Sequence, residues 1–300
     1  MMKSPLALAF FFILFLSSTL KAQDDLLDIF ADEEEEETTY ETAAFKATRV
    51  ILGQSIENPN AGNLNFLIQH QFGNINGGPN EFWGLDQSAI RLGFDYGVND
   101  RLMLGIGRSS FNKTFDGYGK LKILRQSHGK RNMPISLSYF GGAYLVSLPW
   151  ANPSRDNFFS SRLSYTHQLL IARKINSNLT LQVSPTLVHR NLVDSIADQN
   201  DILSMGVSGR FKFNKWMSIN AESFMLLPGR TKDFFTNAFS VGIDMETGGH
   251  VFQVYISNAR GMQEPYFVAQ NIGKWNKGDI FIAFNIHRTF VIRRPKGFRD

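Results

Sequence analysis

Between Asn237 and Asn258 the chain reads N-A-F-S-V-G-I-D-M-E-T-G-G-H-V-F-Q-V-Y-I-S-N. Phe239, Val241, Ile243 and Met245 alternate with Ser240, Gly242 and Asp244. That period of two marks a strand with one apolar and one polar face. Gly248-Gly249 supplies the positive φ angles of a two-residue hairpin turn. Such a turn fixes the register. It sets Met245 opposite Phe252, Ile243 opposite Val254, Val241 opposite Ile256 and Asp244 opposite Gln253. Both faces match across the pair, so turn and pattern agree. What the hairpin leaves open is whether its apolar face turns inward to a core or outward to lipid.

The same alternation recurs along the chain. It places Ile90, Leu92, Phe94, Tyr96 and Val98 opposite in parity to Arg91, Gly93, Asp95 and Gly97, and Leu121 and Ile123 opposite to Lys120 and Lys122. It separates Leu163, Tyr165, Leu169 and Ile171 from Ser164, Thr166 and Gln168. Leu203, Met205, Val207, Phe211 and Phe213 alternate with Ser204, Ser208, Arg210 and Lys212, and Met217 and Ile219 with Ser218, Asn220 and Glu222. Ile280, Ile282, Phe284, Ile286 and Phe290 alternate with Ala283, Asn285, His287 and Thr289. Thr114–Gly117 reads as a turn, and Pro185 as a bulge, because proline removes a ladder donor.

The count is about twelve strands. Connections near 99–101, 176–178, 214–216 and 248–249 are short, and 127–132 is intermediate. Those near 73–87, 147–157, 191–200, 228–235 and 260–277 are long, with 113–117 the exception. Short turns at one rim and long loops at the other are the pattern of a membrane barrel. A charged fraction of 19% is low for polar faces turned to water. Trp216 and Trp275 fall where an interfacial belt would sit. The expected fold is therefore all-β, a transmembrane antiparallel up-and-down β-barrel of about twelve strands; a soluble periplasmic β-sandwich is the runner-up.

Met1–Ala22 has the form of a secretory signal peptide: Lys3, an apolar run from Leu6 to Leu16, then small residues. Residues 23–45 form an acidic segment expected to be disordered, with ten carboxylates between Asp24 and Glu41. Residues 46–300 are assigned to the barrel. From residue 42 onward twenty-nine Lys and Arg stand against seventeen Asp and Glu, about +12, so an acidic leader precedes a basic body. The chain has no cysteine, which excludes disulfides, thiolate chemistry and a cysteine-borne lipid anchor.

Several stretches carry a resemblance. They are "KATRVILGQSIEN" at 46–58, "LRQSHGKRNMPIS" at 124–136, "SRLSYTHQLLIARK" at 161–174, "SPTLVHRNLV" at 184–193 and "FTNAFSVGIDMETGGHVFQ" at 235–253. Over roughly Lys46–Phe290 the chain resembles a family of Gram-negative outer-membrane-type β-barrels known as a domain of unknown function. The resemblance implies a barrel and a compartment, and carries no catalytic residues over.

Few residues of the sequence point to chemistry. The six histidines His70, His128, His167, His189, His250 and His287 show no His-x-His or His-x₃-His spacing, so no metal is expected. No cofactor is expected either. There is no G-x-S-x-G, and Ser164 lies on the opposite face from His167, so a lipid-facing hydrolase site is disfavoured. Glycine pairs lack a following lysine and helix, and basic residues are dispersed, so nucleic acid is not an expected partner. Expected partners are outer-membrane lipid and lipopolysaccharide, and the barrel-assembly machinery through the C-terminal strand ending near Phe290. A periplasmic partner for 24–41 would engage Leu26, Leu27, Ile29 and Phe30. The lumen-facing candidates are Arg91, Asp95, Lys120, Lys122, Gln168, Arg210, Glu222, Asp244, Gln253 and His287. They either line a solute path or fill a narrow barrel with an ion-pair network. The expected function is a passive channel or transport barrel. The alternatives are a structural barrel without an open pore and a lipid-modifying enzyme.

Overall fold

A computed structural model of the chain describes residues 37–193, 195–229 and 235–293. The signal peptide and most of the acidic leader lie outside the described residues. Among those described, twelve strands close an antiparallel barrel. They are β1 Asn63–Asn74, β2 Ser88–Gly97, β3 Leu102–Ser109, β4 Thr114–Leu124, β5 Ser136–Val146 and β6 Leu163–Lys174. The second half is β7 Leu179–Arg190, β8 Asp201–Lys212, β9 Met217–Leu226, β10 Ala238–Thr247, β11 His250–Ser257 and β12 Phe281–Val291. Each strand pairs with the next, and β12 returns to β1. The barrel sheet has no open edge, which is what a bilayer demands of strands.

The β10–β11 hairpin has the register its turn dictates, with Asp244 opposite Gln253 and Met245 opposite Phe252. Gly248 and Gly249 have φ of 47° and 91°. A β-carbon at Gly249 would meet no atom within 4 Å, so a substitution there costs backbone strain alone. Gly249→Val is expected to lower stability by about 1–3 kcal/mol, read as a lower midpoint in urea unfolding of the detergent-solubilised protein; an unchanged midpoint would contradict the turn assignment.

Two local expectations are corrected. Thr114–Gly117 is not a turn but the start of β4; the turn lies one step earlier, with Asn112 and Lys113 at φ of 50° and 46°. Gly117 and Gly119 take outward positions in β4 and so hide its apolar alternation, while Asp116, Tyr118 and Lys120 point in. Pro185 makes no bulge. The β6–β7 register is the same on either side of it, Gln168 opposite Thr186 and Ile171 opposite Val183. The missing donor interrupts the ladder only at Leu169–Pro185 and Leu170–Ser184, without shifting it. Register shifts fall instead between Lys122 and Leu124 and between Phe281 and Ala283.

Burial decides the direction of the faces. Ile106 is 64% exposed and Phe211 52%, whereas Lys120 and Asp95 are 0% exposed. A water-soluble sheet would reverse this order. A continuous apolar band outside and polar groups inside is a membrane barrel. Apart from the four-residue 110–113 connection, the short connections gather at one rim, where β1 begins and β12 ends. The long ones gather at the other, except the 125–135 connection between β4 and β5.

The N-terminal part enters from the short-turn rim. Thr39–Tyr40 pairs antiparallel with Ser127–His128 in the β4–β5 connection. The acidic segment expected to be disordered to residue 45 is therefore held at its C-terminal end. Nor do the first residues assigned to the barrel join its wall: every residue from Ala47 to Ile56 is buried, and the first barrel strand begins only at Asn63.

Candidate functional site

The sequence K-A-T-R-V-I-L-G-Q-S-I folds into a hairpin inside the lumen. Val50 N–H donates to Gly53 O at 2.8 Å, Ser55 N–H donates to Thr48 O at 3.1 Å, and Arg49 bridges Gln54. Ile51 and Leu52 form its tip. A two-stranded hairpin leaves outward backbone groups unpaired, and buried groups of that kind need partners. The barrel wall supplies them. Glu222 on β9 accepts from Leu52 N–H at 2.7 Å and Gly53 N–H at 3.2 Å. Gln253 donates to Val50 O at 2.9 Å, Asn285 to Ile51 O at 2.8 Å and Gln182 to Gln54 O at 2.8 Å. Across the lumen Lys120 donates to Ser55 O at 2.8 Å and Thr48 O at 3.3 Å, and Thr48 Oγ1 donates to Asp95 at 2.6 Å.

Gly53 is where the tip lies closest to the wall. A β-carbon there would stand 2.7 Å from Phe224 Cζ and 3.1 Å from Glu222 Oε2. Gly53→Val is expected to displace the tip at a cost of about 1–3 kcal/mol. Faster amide exchange at Leu52 would register it, and unchanged exchange would contradict the docking.

A second insert comes from the long-loop rim. The β11–β12 connection folds inward and forms α1, Glu264–Ala269, all six residues of which are buried. Phe267 packs edge-on against Phe224, with ring centroids 5.0 Å apart. Gln71 holds the loop by donating to Ala259 O at 2.6 Å and accepting from Gly261 N–H at 2.9 Å. Tyr266 bonds Thr114, and Gln263 donates to Asp116. The two inserts meet. Arg49 Nη1 donates to Glu264 Oε1 at 2.6 Å and Gln54 Nε2 to the same oxygen at 3.0 Å.

Six of the ten lumen candidates touch the N-terminal segment. Asp95, Lys120, Glu222 and Gln253 hold the hairpin itself, Arg210 donates to Ala43 O and Ala44 O, and Lys122 lies 3.8 Å from Glu57. The other four belong to the wall. Arg91 makes a two-pronged ion pair with Asp116, at 3.0 and 2.5 Å, and donates to Gln69. Asp244 accepts from Gln253, Gln168 donates to Thr186, and His287 lies between Asn65 and Gln253. The lumen these ten residues line is thus occupied by the chain's own segments. Arg49, Asn285, Gln182, Tyr144 and Glu264 belong to the same assembly and are not among the candidates. Arg49 and Glu264 lie outside any alternating strand, so face parity could not select them.

At the short-turn rim the strap before the hairpin is pinned by charge. Lys174 donates to Glu41 at 2.8 Å, and His128 stands 3.2 Å from the same carboxylate. Lys46 pairs with Glu246. The Lys174 hydrogen bond is the largest influence on the Glu41 carboxyl and holds it below the ordinary glutamate range, against the opposing effect of burial. A lowered folded value stabilises above the ordinary pKa and is lost as pH falls through the folded one. The strap is therefore expected to stay docked at neutral pH and to detach only once the pH has fallen below the ordinary glutamate range. Spin labels at Thr38→Cys and Asn132→Cys would report the lengthening; a constant distance would contradict it.

On the lipid face, His167 bonds Tyr139 at 2.6 Å and His189 bonds Asp201 at 2.7 Å. Among the described residues neither histidine is hydrogen-bonded to a serine, and no cluster of three or more His, Asp or Glu could hold a metal.

A family model described as "Membrane bound beta barrel domain (DUF5777)" matches residues 45–290, from the start of the lumenal hairpin to the end of the last strand. No curated protein matches. Among solved structures the chain is similar to the NanC porin, at 6% identity and a TM-score of 0.49 over 75% of this chain and 98% of that one. It is similar to the Ralstonia pickettii toluene transporter TbuX, at 11% identity and a TM-score of 0.37 over 82% and 97%. It is also similar to an active-site mutant of outer membrane phospholipase A from Escherichia coli, at 10% identity and a TM-score of 0.40 over 77% and 91%. Likeness at these values assigns no activity.

Proposed function

Because the chain belongs to this family of membrane-bound β-barrels, we propose that it is an outer-membrane transport barrel closed at rest by its own N-terminal hairpin. Small hydrophilic solutes pass when the hairpin withdraws. The short-turn rim faces the periplasm in this reading, so the hairpin leaves toward the periplasm. Export by residues 1–22 and insertion through β12 belong to the same reading, with membrane lipid and lipopolysaccharide as the surroundings.

The observation that carries it is the pair of hairpin amides held by Glu222. The hairpin is held by hydrogen bonds from wall side chains to its backbone and by burial of Val50, Ile51, Leu52 and Ile56 in the apolar cluster that includes Met103, Phe140, Leu170 and Phe224. Each hydrogen bond from a neutral side chain contributes only about 0.5–1.5 kcal/mol net, and each one to Glu222 or from Lys120 about 1.5–3 kcal/mol, because water replaces it on release. Once emptied, the wall presents Asp95, Lys120, Asn220, Glu222, Gln253 and Asn285, polar groups of mixed sign, beside the apolar Met103, Phe140, Leu170 and Phe224. That composition suits small polar solutes.

Glu222→Ala tests the reading. It strands two buried amides at about 1–3 kcal/mol each, which shifts the balance toward withdrawal. In planar bilayers the wild type is expected to be nearly silent and the variant to open intermittently. A variant as silent as the wild type would count against the conduit. A lipid-modifying enzyme is the weaker reading, because the outward His189–Asp201 pair lacks a bonded nucleophile.

A further inference from the structure

Glu264 holds three elements at once. Its Oε1 accepts from Arg49 and Gln54, the two residues that face each other across the lumenal hairpin. Its Oε2 accepts from Tyr144 on β5 at 2.6 Å. Arg49 and Glu264 side chains are each only 2% exposed. A guanidinium buried to that degree needs its counter-charge. A second shared surface lies beside the first: one side of Phe224 receives Phe267 from α1, and its ring edge limits the space at Gly53 of the hairpin.

From this arrangement we infer that the two inserts form an interlock. The loop between β11 and β12 holds the N-terminal hairpin in place, so that a ligand or partner that lifts the loop from the long-loop rim frees the hairpin at the opposite rim. If the loop leaves, Arg49 loses its carboxylate and the Phe224 ring loses its cover. If the hairpin leaves, Glu264 keeps Tyr144 alone. Each departure makes the other easier, and linkage requires the coupling to be equal in both directions. The inference takes from the proposed function only that the hairpin can leave its seat, and it supplies the regulation of that step.

The test uses the full chain in lipid nanodiscs and reads hydrogen exchange rather than conductance, so a barrel that proves silent would leave it decidable. Glu264→Gln alters the loop only. It is expected to speed amide exchange in the hairpin, at Val50–Ser55, by about 5–150-fold, the usual range for coupled sites. Arg49→Met alters the hairpin only, and is expected to speed exchange in Glu264–Gln270 by a similar factor. Tyr266→Phe guards against a variant that fails to fold. It loosens the loop at Thr114 and touches no hairpin atom, yet loop and hairpin exchange should rise together. Acceleration confined in each variant to its own segment would overturn the interlock.

Discussion

Replacing Arg91 with methionine is expected to lower the unfolding free energy by about 3–5 kcal/mol. The guanidinium and its partner Asp116 are each 1% exposed, and the pair is made through two parallel hydrogen bonds. Removing one member leaves Asp116 with Gln263 as its remaining donor in a site closed to solvent. The size of the effect distinguishes two kinds of lumen. In a water-filled channel the same pair would be screened and worth about 0–1 kcal/mol. In a packed lumen the stranded carboxylate cannot be rehydrated. Urea unfolding in detergent, with Asp116→Asn combined with Arg91→Met as the control, reads the difference. The double substitution should regain much of the loss. A single-variant loss below about 1 kcal/mol would mean that water reaches the pair.

The barrel wall was legible in the sequence because its signal is local. Alternation assigns each side chain a face, and a two-residue turn such as Gly248-Gly249 fixes the register between neighbours. That is why the β10–β11 pairing and the inward set, from Arg91 to His287, could be read directly. The start of β4 was hidden for a physical reason. Gly117 and Gly119 occupy outward positions and carry no apolar label, so the strand looked like a turn.

The contents of the lumen were not legible in the same way. Thr48 to Ser55 mixes apolar and polar residues without a period, because its side chains meet wall groups on every side. Its partners are far away in sequence: Glu222 lies 170 residues from Leu52, and Glu264 lies 215 residues from Arg49. No spacing rule links them. The polar parity of Glu222, Gln253 and Lys120 said that they face inward. It did not say whether they face water or another part of the chain.

In the proposed function residues 45–56 close the barrel. Removing them should leave the wall intact, since the twelve strands pair only with one another. The deletion exposes the carboxamides, carboxylates and Lys120 that now hold the hairpin, where water replaces the lost hydrogen bonds, and it uncovers the apolar Met103, Phe140, Leu170 and Phe224. With Arg49 gone, Glu264 loses its ion-pair partner, and the loop carrying α1 becomes easier to displace. Planar-bilayer recording of the wild type beside the 45–56 deletion is the most direct test, with a heat-modifiability gel confirming that both are folded barrels. The account predicts a nearly insulating wild type and a steadily conducting deletion. A folded deletion that insulates as well as the wild type would contradict it.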